Sequence, residues 1–189
     1  MHAIAHIELN AIDLAWDIIA RFRNSDLPLA FYDDWVNVAN GEAKHFSMLT
    51  NYLNQNNACY GDFTAHDSLW KSAEKTSDDI LSRLAIVPLV LEARGLDTSP
   101  GAIKKLSAGD DTKAARILKI IGEEEISRVA TGVRWFHHIC KRHGLEPASI
   151  FQLLVKSRFN GFLKLPLATN ARTLAGFSRF YYEPLAKLR

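Results

Sequence analysis

A chain of 189 residues, 48% hydrophobic and 23% charged, has the size and composition of one globular domain spanning residues 1–189. Its net charge of +2 gives no strong signal of nucleic-acid binding for the chain as a whole, and no apolar run approaches the roughly 20 residues of a membrane span. Residues 151–189 carry seven basic residues and one acidic residue. This segment is therefore either a solvated basic tail or a surface that attracts anions.

The termini and the cysteines bear on the cellular compartment. The N-terminus lacks a basic segment followed by an apolar core, so no signal peptide is predicted. The first helix begins almost at once, which suggests a shortened N-terminus. Cys59 and Cys140 are far apart and have no metal-binding spacing, so reduced, buried or half-buried thiols are expected. These features predict a cytoplasmic protein.

Apolar residues at three- and four-residue steps predict helices over residues 2–23, 28–55 and 65–94, with a loop at 56–62. Pro88 predicts a kink in the third helix because it lacks an N–H group, and Gly95 is its expected C-cap. Thr98-Ser99-Pro100 is expected to cap a short helix over 102–106. A long helix capped at 110–111 and ending at 143 follows, and then a helix over 147–158.

The resulting fold class is all-α, because no strand-like alternation of useful length is present. Residues 1–144 are predicted to form a four-helix bundle, and residues 145–189 an additional C-terminal helix and an irregular tail that wraps it. In this tail Asn170, Arg172, Tyr181 and Tyr182 either line an entrance or act as packing and turn residues.

Five potential metal ligands recur at bundle spacing along the predicted helices. Two helices with a single glutamate alternate with two that carry an acidic motif, giving Glu8, then Glu42 with His45, then Glu92, then Glu125 with Arg128. The separations Glu8 to Glu92 and Glu42 to Glu125 are 84 and 83 residues. Bundles that hold two metal ions in their core use this arrangement, because Glu and His at i, i+3 project from the same helix face.

Each of these five ligands falls on the apolar stripe of its helix. A carboxylate facing a core is costly unless it is paired or metal-bound, and several together repel one another. Carboxylates mixed with imidazole suit iron or manganese, one or two ions per chain, better than zinc. The alternative is that a Glu-x-x-His spacing on a helix has arisen by chance.

The remaining histidines and Arg128 need separate interpretation. His6 lies about 200° around the helix from Glu8, which favours a packing or supporting role over metal ligation. His137, His138 and His143 lie about 18 Å or more beyond Glu125 along the helix axis. Arg128 stands where the repeat calls for a second histidine. It either replaces a metal charge by pairing with the glutamates, or extends outward to solvent.

Six segments resemble a known family over nearly the whole chain: HAIAHIELNAIDLAWD, GEAKHFSML, YGDFTAHDSLW, LAIVPLVLEARGLD, EEEISRVATGVRWF and LPLATNARTLAGFSRFYYEPL. They are similar to the uncharacterised ferritin-like family called domain of unknown function 455, whose members carry a longer N-terminal segment. The resemblance implies a ferritin-like bundle with a di-iron carboxylate site and a distant relation to a tRNA-hydroxylating monooxygenase. The ligands it implies are Glu8, Glu42, His45, Glu92 and Glu125, with Arg128 departing from the expected sixth ligand, histidine.

Three functions remain open from the sequence. The first is an oxidoreductase that uses dioxygen or peroxide on an unknown small-molecule substrate, with iron or manganese as cofactor. The second is a non-catalytic bundle whose Glu/Arg core is a structural ion-pair network. The third is a tRNA-modifying hydroxylase, suggested by the distant relative and the basic tail. No membrane partner is expected, and the oligomeric state is open, with a homodimer among the options.

Overall fold

The computed structural model describes residues 1–23, 26–159 and 162–187. Residues 24–25, 160–161 and 188–189 lie outside these ranges. The helices are α1 His2–Arg21, α2 Leu29–Gln55, α3 Ser68–Glu74, α4 Ile80–Ile86, α5 Ala93–Ala108, α6 Thr112–Arg142, α7 Pro147–Arg158, α8 Thr169–Leu174 and α9 Arg179–Tyr182. A π-helical segment, Val87–Glu92, joins α4 to α5, and a 3-10 turn, Glu183–Leu185, follows α9.

The chain divides into two compact units that interleave along the sequence. The first unit comprises Met1–Lys71 and Ile103–Ile121, and the second comprises Ser72–Ala102 and Gly122–Arg189. Helices α5 and α6 each contribute residues to both units. The prediction of all-α structure is confirmed for the described ranges, in which none of the helices combines the length and hydropathy needed to cross a lipid bilayer.

Helices α1 and α2 pack together in the first unit because each carries one continuous apolar stripe. The buried stripe of α1 includes Leu14 and Ile18, and that of α2 includes Phe31, Trp35 and Leu49. Burial of side chains of this size stabilises a fold by about 1.5–3 kcal/mol each. The stripes also carry the polar residues of the candidate site, so hydrophobic packing fixes where those residues lie.

The predicted helix over 65–94 is wrong, because the chain breaks between α3 and α4. The Asp79 side chain accepts hydrogen bonds from the backbone N–H groups of Leu81 and Ser82, which caps a new helix at Ile80. The guanidinium of Arg83, only 1% exposed, donates to the Ala73 carbonyl and the Thr76 hydroxyl at 2.7 and 3.0 Å. Because this buried arginine satisfies the polar groups at the end of α3, the break is stable.

The predicted distortion at Pro88 takes the form of the π-helical segment, which begins at Val87. Gly132 of α6 lies against it, and a Cβ atom at Gly132 would come within 2.7 Å of Pro88 Cβ and 3.3 Å of Leu89 Cδ2. Only glycine allows this close approach. The π-helical segment is therefore held directly against α6 within the second unit.

Gly95 is inside α5, and the predictions of a C-cap at Gly95 and a separate helix over 102–106 are wrong. Helix α5 continues through Pro100 as far as Ala108. The hydroxyls of Thr98 and Ser99 donate back to the carbonyls of Arg94 and Gly95 at 3.0 and 2.7 Å, instead of capping a new helix.

The predicted caps of the last two long helices are present. The Asp111 carboxylate accepts from Ala114 N–H at 3.0 Å at the start of α6, and the Glu146 carboxylate accepts from Ala148 and Ser149 N–H at the start of α7. The hydrogen bond from Ser149 N–H lowers the pKa of Glu146. The tail is more regular than predicted, since it holds α8, α9 and a two-residue parallel pair of strands, β1 Leu163–Lys164 and β2 Ala186–Lys187.

Candidate metal centre

Glu8 of α1 and the pair Glu42 and His45 of α2 converge between these two helices in the first unit. Each offers one potential ligand atom, and these atoms all lie within 4.8 Å of one another. His45 Nδ1 is 3.0 Å from Glu8 Oε2 and 3.8 Å from Glu42 Oε2. Two carboxylates and one imidazole therefore share a single buried point, which we call the Glu8 cluster.

The local structure explains this convergence. Glu42 and His45 are three residues apart on one helix, so their side chains lie side by side. Glu8 lies on the buried face of α1 between Ala5 and Ala11, whose small side chains allow α2 to come close. The same apolar stripes that pair the helices thus direct these three polar groups toward each other.

Burial makes the charge of this cluster important. Glu8 is 5% exposed, Glu42 2% and His45 fully buried. Two ionised carboxylates carry a charge of −2 that one protonated imidazole would only halve. Such a net charge is costly inside a protein, and a divalent cation neutralises it.

His45 Nδ1 and Glu8 Oε2 are within hydrogen-bond distance at 3.0 Å, and both His45 separations are also compatible with one shared ion. Neighbouring ligands of one ion lie about 3 to 3.5 Å apart when metal–ligand bonds are about 2.1 Å long. The His45 Nδ1 distances of 3.0 and 3.8 Å to the two carboxylates bracket this range. Mixed carboxylate and imidazole donors match iron or manganese. The residues of the Glu8 cluster therefore fit the metal that the sequence predicts.

His6 lies outside the Glu8 cluster, where it organises the loop that follows α2. Its Nδ1 is 2.8 Å from the Tyr60 hydroxyl, and its Nε2 is 3.2 Å from the His66 carbonyl oxygen and 3.1 Å from Asn10 Nδ2. His66 precedes α3 rather than beginning it. The packing role expected for His6 is thus observed, two residues from Glu8 on the same helix.

The second unit contains the other predicted ligands, Glu92 and Glu125, together with Arg128. Arg128 Nη1 donates to Glu125 Oε2 at 3.1 Å, and these residues are 4% and 7% exposed. The expected ion pair is therefore present, and we call it the Glu125 pair. Glu92, the last residue of the π-helical segment, is half-buried. That Glu92 and Glu125 join the Glu8 cluster in one site remains a prediction.

The second unit also contains polar contacts that the sequence did not predict. The buried Asp97 of α5 accepts two hydrogen bonds from Arg172 of α8, at 3.0 and 2.7 Å. Tyr181 stacks on His137, and its hydroxyl is hydrogen-bonded to the His137 ring. The sequence did not identify Asp97 as a buried hydrogen-bond acceptor. Because Gly95 was the expected helix end, Asp97 was assigned to the connection after the helix and not to a helix face.

Tyr181 and Tyr182 are packing residues, the second of the two roles considered for them, since each is 4% exposed or less. Arg172 is equally buried, but it lies in the wall of a cavity. Of the two thiols, Cys140 is buried as expected, whereas Cys59 is exposed, contrary to expectation. Cys59 lies in the loop after α2.

Comparison with known proteins agrees with the resemblance found in the sequence. A protein of Haemophilus influenzae, described as "Uncharacterized protein", is 44% identical over 185 residues, which is 95% of this chain. The chain spans 64% of that relative's length. No solved structure matches. The sequence profile described as "Protein of unknown function (DUF455)" matches residues 1–183. The chain belongs to the DUF455 family.

Proposed function

We propose that this protein is a ferritin-like metal-binding protein that holds iron or manganese through Glu8, Glu42 and His45. The observation that supports this most directly is the burial of three ligand-type side chains whose donor atoms lie within 4.8 Å of one another. Hydrophobic side chains at the same three positions would pack without an electrostatic cost. A bound cation gives a physical reason for polar groups there.

Iron or manganese bound at these residues would supply redox chemistry with dioxygen or peroxide, so we propose an oxidoreductase acting on a small molecule. The protein's own contribution is to position and shield the ion. Glu8 and Glu42 approach from different helices, so both helices must be docked before the ligand set is complete. The full burial of His45 limits water access to its side of the site.

That Glu92 and Glu125 are further metal ligands stays a prediction from the sequence repeat. Arg128 already supplies a positive charge to Glu125 at 3.1 Å. A fixed cation at that position reduces the need for a second ion. We therefore propose one metal ion per chain rather than two.

Metal titration of chelator-stripped protein tests this function. Calorimetric titration with Mn²⁺, and with Fe²⁺ under anaerobic conditions, should give about one site per chain. Glu42→Gln should weaken binding by at least tenfold, since it removes a charged ligand. Asp33→Asn changes an exposed carboxylate on the same helix and should leave binding unchanged. Equal affinities for these two variants, or no binding to the folded parent protein, would refute the proposal.

The Glu125 pair favours a second candidate, a non-catalytic bundle with a structural ion-pair core. In that case purified protein would carry no metal, and melting temperature would not respond to any transition metal. A role in tRNA modification stays a prediction from the sequence. It would require binding to tRNA that weakens steeply as salt concentration rises.

A further inference from the structure

A cavity lies entirely within the second unit, and none of its lining residues belongs to the Glu8 cluster. It has a volume of about 230 Å³ and lies among the π-helical segment, α5, the region around β1, and α8. Its apolar lining is formed by Val90, Leu91, Phe159, Phe162, Leu163 and Leu167. Four charged residues, Arg94, Asp97, Lys164 and Arg172, complete it.

Arg172 provides an observation independent of the cavity's shape. Its side chain is 2% exposed, and its Nε and Nη2 atoms donate to the two oxygens of Asp97 at 3.0 and 2.7 Å. Because a guanidinium is planar, Nη1 then points away from Asp97 with two further N–H donors. Nη1 is buried and has no hydrogen-bond acceptor among the described residues.

The position of this guanidinium is fixed by its neighbours. Its central carbon lies 4.8 Å from the Tyr182 ring centre and 5.4 Å from the Phe177 ring centre. Asp97 is itself held by Ala168 N–H at 2.8 Å. Arg172 therefore cannot easily turn Nη1 toward solvent. A buried charged donor that lacks an acceptor is unfavourable, and a bound anion is one way to satisfy it.

The charge of the cavity lining has the sign that an anion requires. Three basic residues face one acidic residue, which leaves a net charge of +2. The carboxylate of Asp97 is already occupied by Arg172 and Ala168 N–H. Arg94 Nη1 donates to the carbonyls of Lys164 and Pro166 at 2.8 and 3.1 Å, which ties the cavity wall together.

We propose that this cavity binds a small monocarboxylate, with its carboxylate at Nη1 of Arg172 and its apolar body against the leucine and phenylalanine side chains. An apolar cavity of about 150 Å³ accommodates benzene. A cavity of about 230 Å³ therefore suits a body somewhat larger than benzene, such as a chain of six to eight carbons. The mixture of an apolar wall with one directed donor is typical of small-molecule sites.

A chain-length series with the full-length protein tests the cavity's size and polarity. Sodium salts of butanoate, hexanoate, octanoate and dodecanoate are titrated by calorimetry in the presence of a chelator. Affinity should rise by about fourfold per methylene, the value for apolar burial, up to about eight carbons and then level off. The neutral 1-octanol should bind at least tenfold more weakly than octanoate. Equal binding of 1-octanol and octanoate would overturn the proposal, as would inorganic sulfate binding as tightly as octanoate.

Substitutions in the wall locate the site. Leu91→Trp fills the cavity and should weaken octanoate binding at least tenfold, whereas Leu153→Trp, at an exposed position of α7 outside the cavity, should leave it unchanged. If Leu91→Trp does not fold, Leu167→Trp, in the loop before α8, replaces it. Unchanged affinity in a folded cavity variant contradicts the assignment.

Arg172→Lys keeps a positive charge near Asp97 but removes the Nη1 donors, so it should weaken octanoate binding at least tenfold without reversing the preference over 1-octanol. An affinity equal to that of the parent would contradict the role of Nη1. Glu42→Gln, which disrupts the proposed metal site, should bind octanoate normally. The two proposals can therefore fail separately.

Discussion

The Glu8 cluster and the Glu125 pair both contain a buried glutamate followed three residues later by a basic side chain on the same helix. They differ in how the charge of that glutamate is balanced. In α2, Glu42 is followed three residues later by His45, and in α6, Glu125 is followed three residues later by Arg128. Both glutamates are at least 93% buried. The difference lies in the second residue, because an arginine is always charged, whereas a histidine can be neutral.

The consequence is that the members of the Glu125 pair balance one another's charge, whereas the three side chains of the Glu8 cluster do not. The Glu125 pair has no net charge, and its members are 3.1 Å apart. The Glu8 cluster has two carboxylates and only one imidazole. One position of the repeat, occupied by His45 in α2 and Arg128 in α6, therefore decides whether a permanent positive charge lies beside the glutamate.

Removing the arginine should give the largest change in stability. Arg128→Met leaves Glu125 buried without its 3.1 Å partner, so the free energy of unfolding should fall by about 3–5 kcal/mol. Urea unfolding followed by circular dichroism measures this change. Arg116→Met alters an exposed arginine of the same helix and should change stability by less than about 0.5 kcal/mol.

The double variant Arg128→Met with Glu125→Met sharpens the interpretation. Replacing a complete buried pair with apolar side chains is often neutral or stabilising, so most of the lost stability should return. A single Arg128→Met variant as stable as the parent would mean that the ion pair does not neutralise Glu125 in solution.

Metal should stabilise the protein through the Glu8 cluster. A ligand that binds only the folded state contributes about 2.7 kcal/mol at 100 times its dissociation constant, or about 5 to 10 °C in melting temperature for a chain of this size. Mn²⁺ added to stripped protein should give such a shift, and Ca²⁺ a smaller one because imidazole is a poor ligand for it.

The matched variants show whether this shift comes from the Glu8 cluster. His45→Ala should abolish the Mn²⁺ effect, and Asp33→Asn, at an exposed position of the same helix, should retain it. A shift of equal size in folded His45→Ala protein would place the stabilising metal elsewhere.

The sequence predicted well where pattern and local chemistry agree. Helices α1, α2, α6 and α7 have long apolar stripes, and those of α6 and α7 begin at acidic caps, so their limits were correct to within a few residues. The convergence of Glu8 with Glu42 and His45 followed from the same stripes.

The segment from 65 to 108 was mispredicted because tertiary contacts outweigh local signals there. Arg83 reads as an exposed residue in the sequence, yet it is buried and bonds to the end of α3. Gly95 reads as a helix end and Pro100 as part of a new helix start, but α5 runs through both. The Asp97–Arg172 contact joins residues 75 positions apart, which no local pattern can reveal.

A single substitution should convert the Glu125 pair into a group that resembles the Glu8 cluster. Arg128→His restores the histidine that the repeat calls for and removes the fixed positive charge beside Glu125. We expect the number of bound Mn²⁺ or Fe²⁺ ions to rise from about one toward two per chain, measured by elemental analysis after equilibrium dialysis. An unchanged stoichiometry in folded protein would sink the idea that Arg128 replaces a metal ion.

The smallest expected effect uses the two cysteines as separate reporters of the two units. Cys59 belongs to the first unit and is exposed, whereas Cys140 belongs to the second and is buried. Burial raises the pKa of the Cys140 thiol to about 11. At pH 8 the folded protein should therefore release one equivalent of chromophore rapidly with an aromatic disulfide reagent and the second only on unfolding.

The raised pKa of Cys140 also sets the sign of a pH dependence. A group whose pKa is higher in the folded state than its ordinary value of 9.0 stabilises the fold below that pH, and this contribution is lost as pH rises toward 11. Cys140→Ala should therefore lose less stability than the parent between pH 9 and 11.

In Arg128→Met, the Cys140 thiol should react faster while Cys59 keeps its rate, because the destabilised buried charge lies in the unit that contains Cys140. Equal acceleration at both thiols would show instead that the two units unfold together. The Glu8 cluster and the Glu125 pair would then still differ in charge, but the loss of Arg128 would destabilise both units alike.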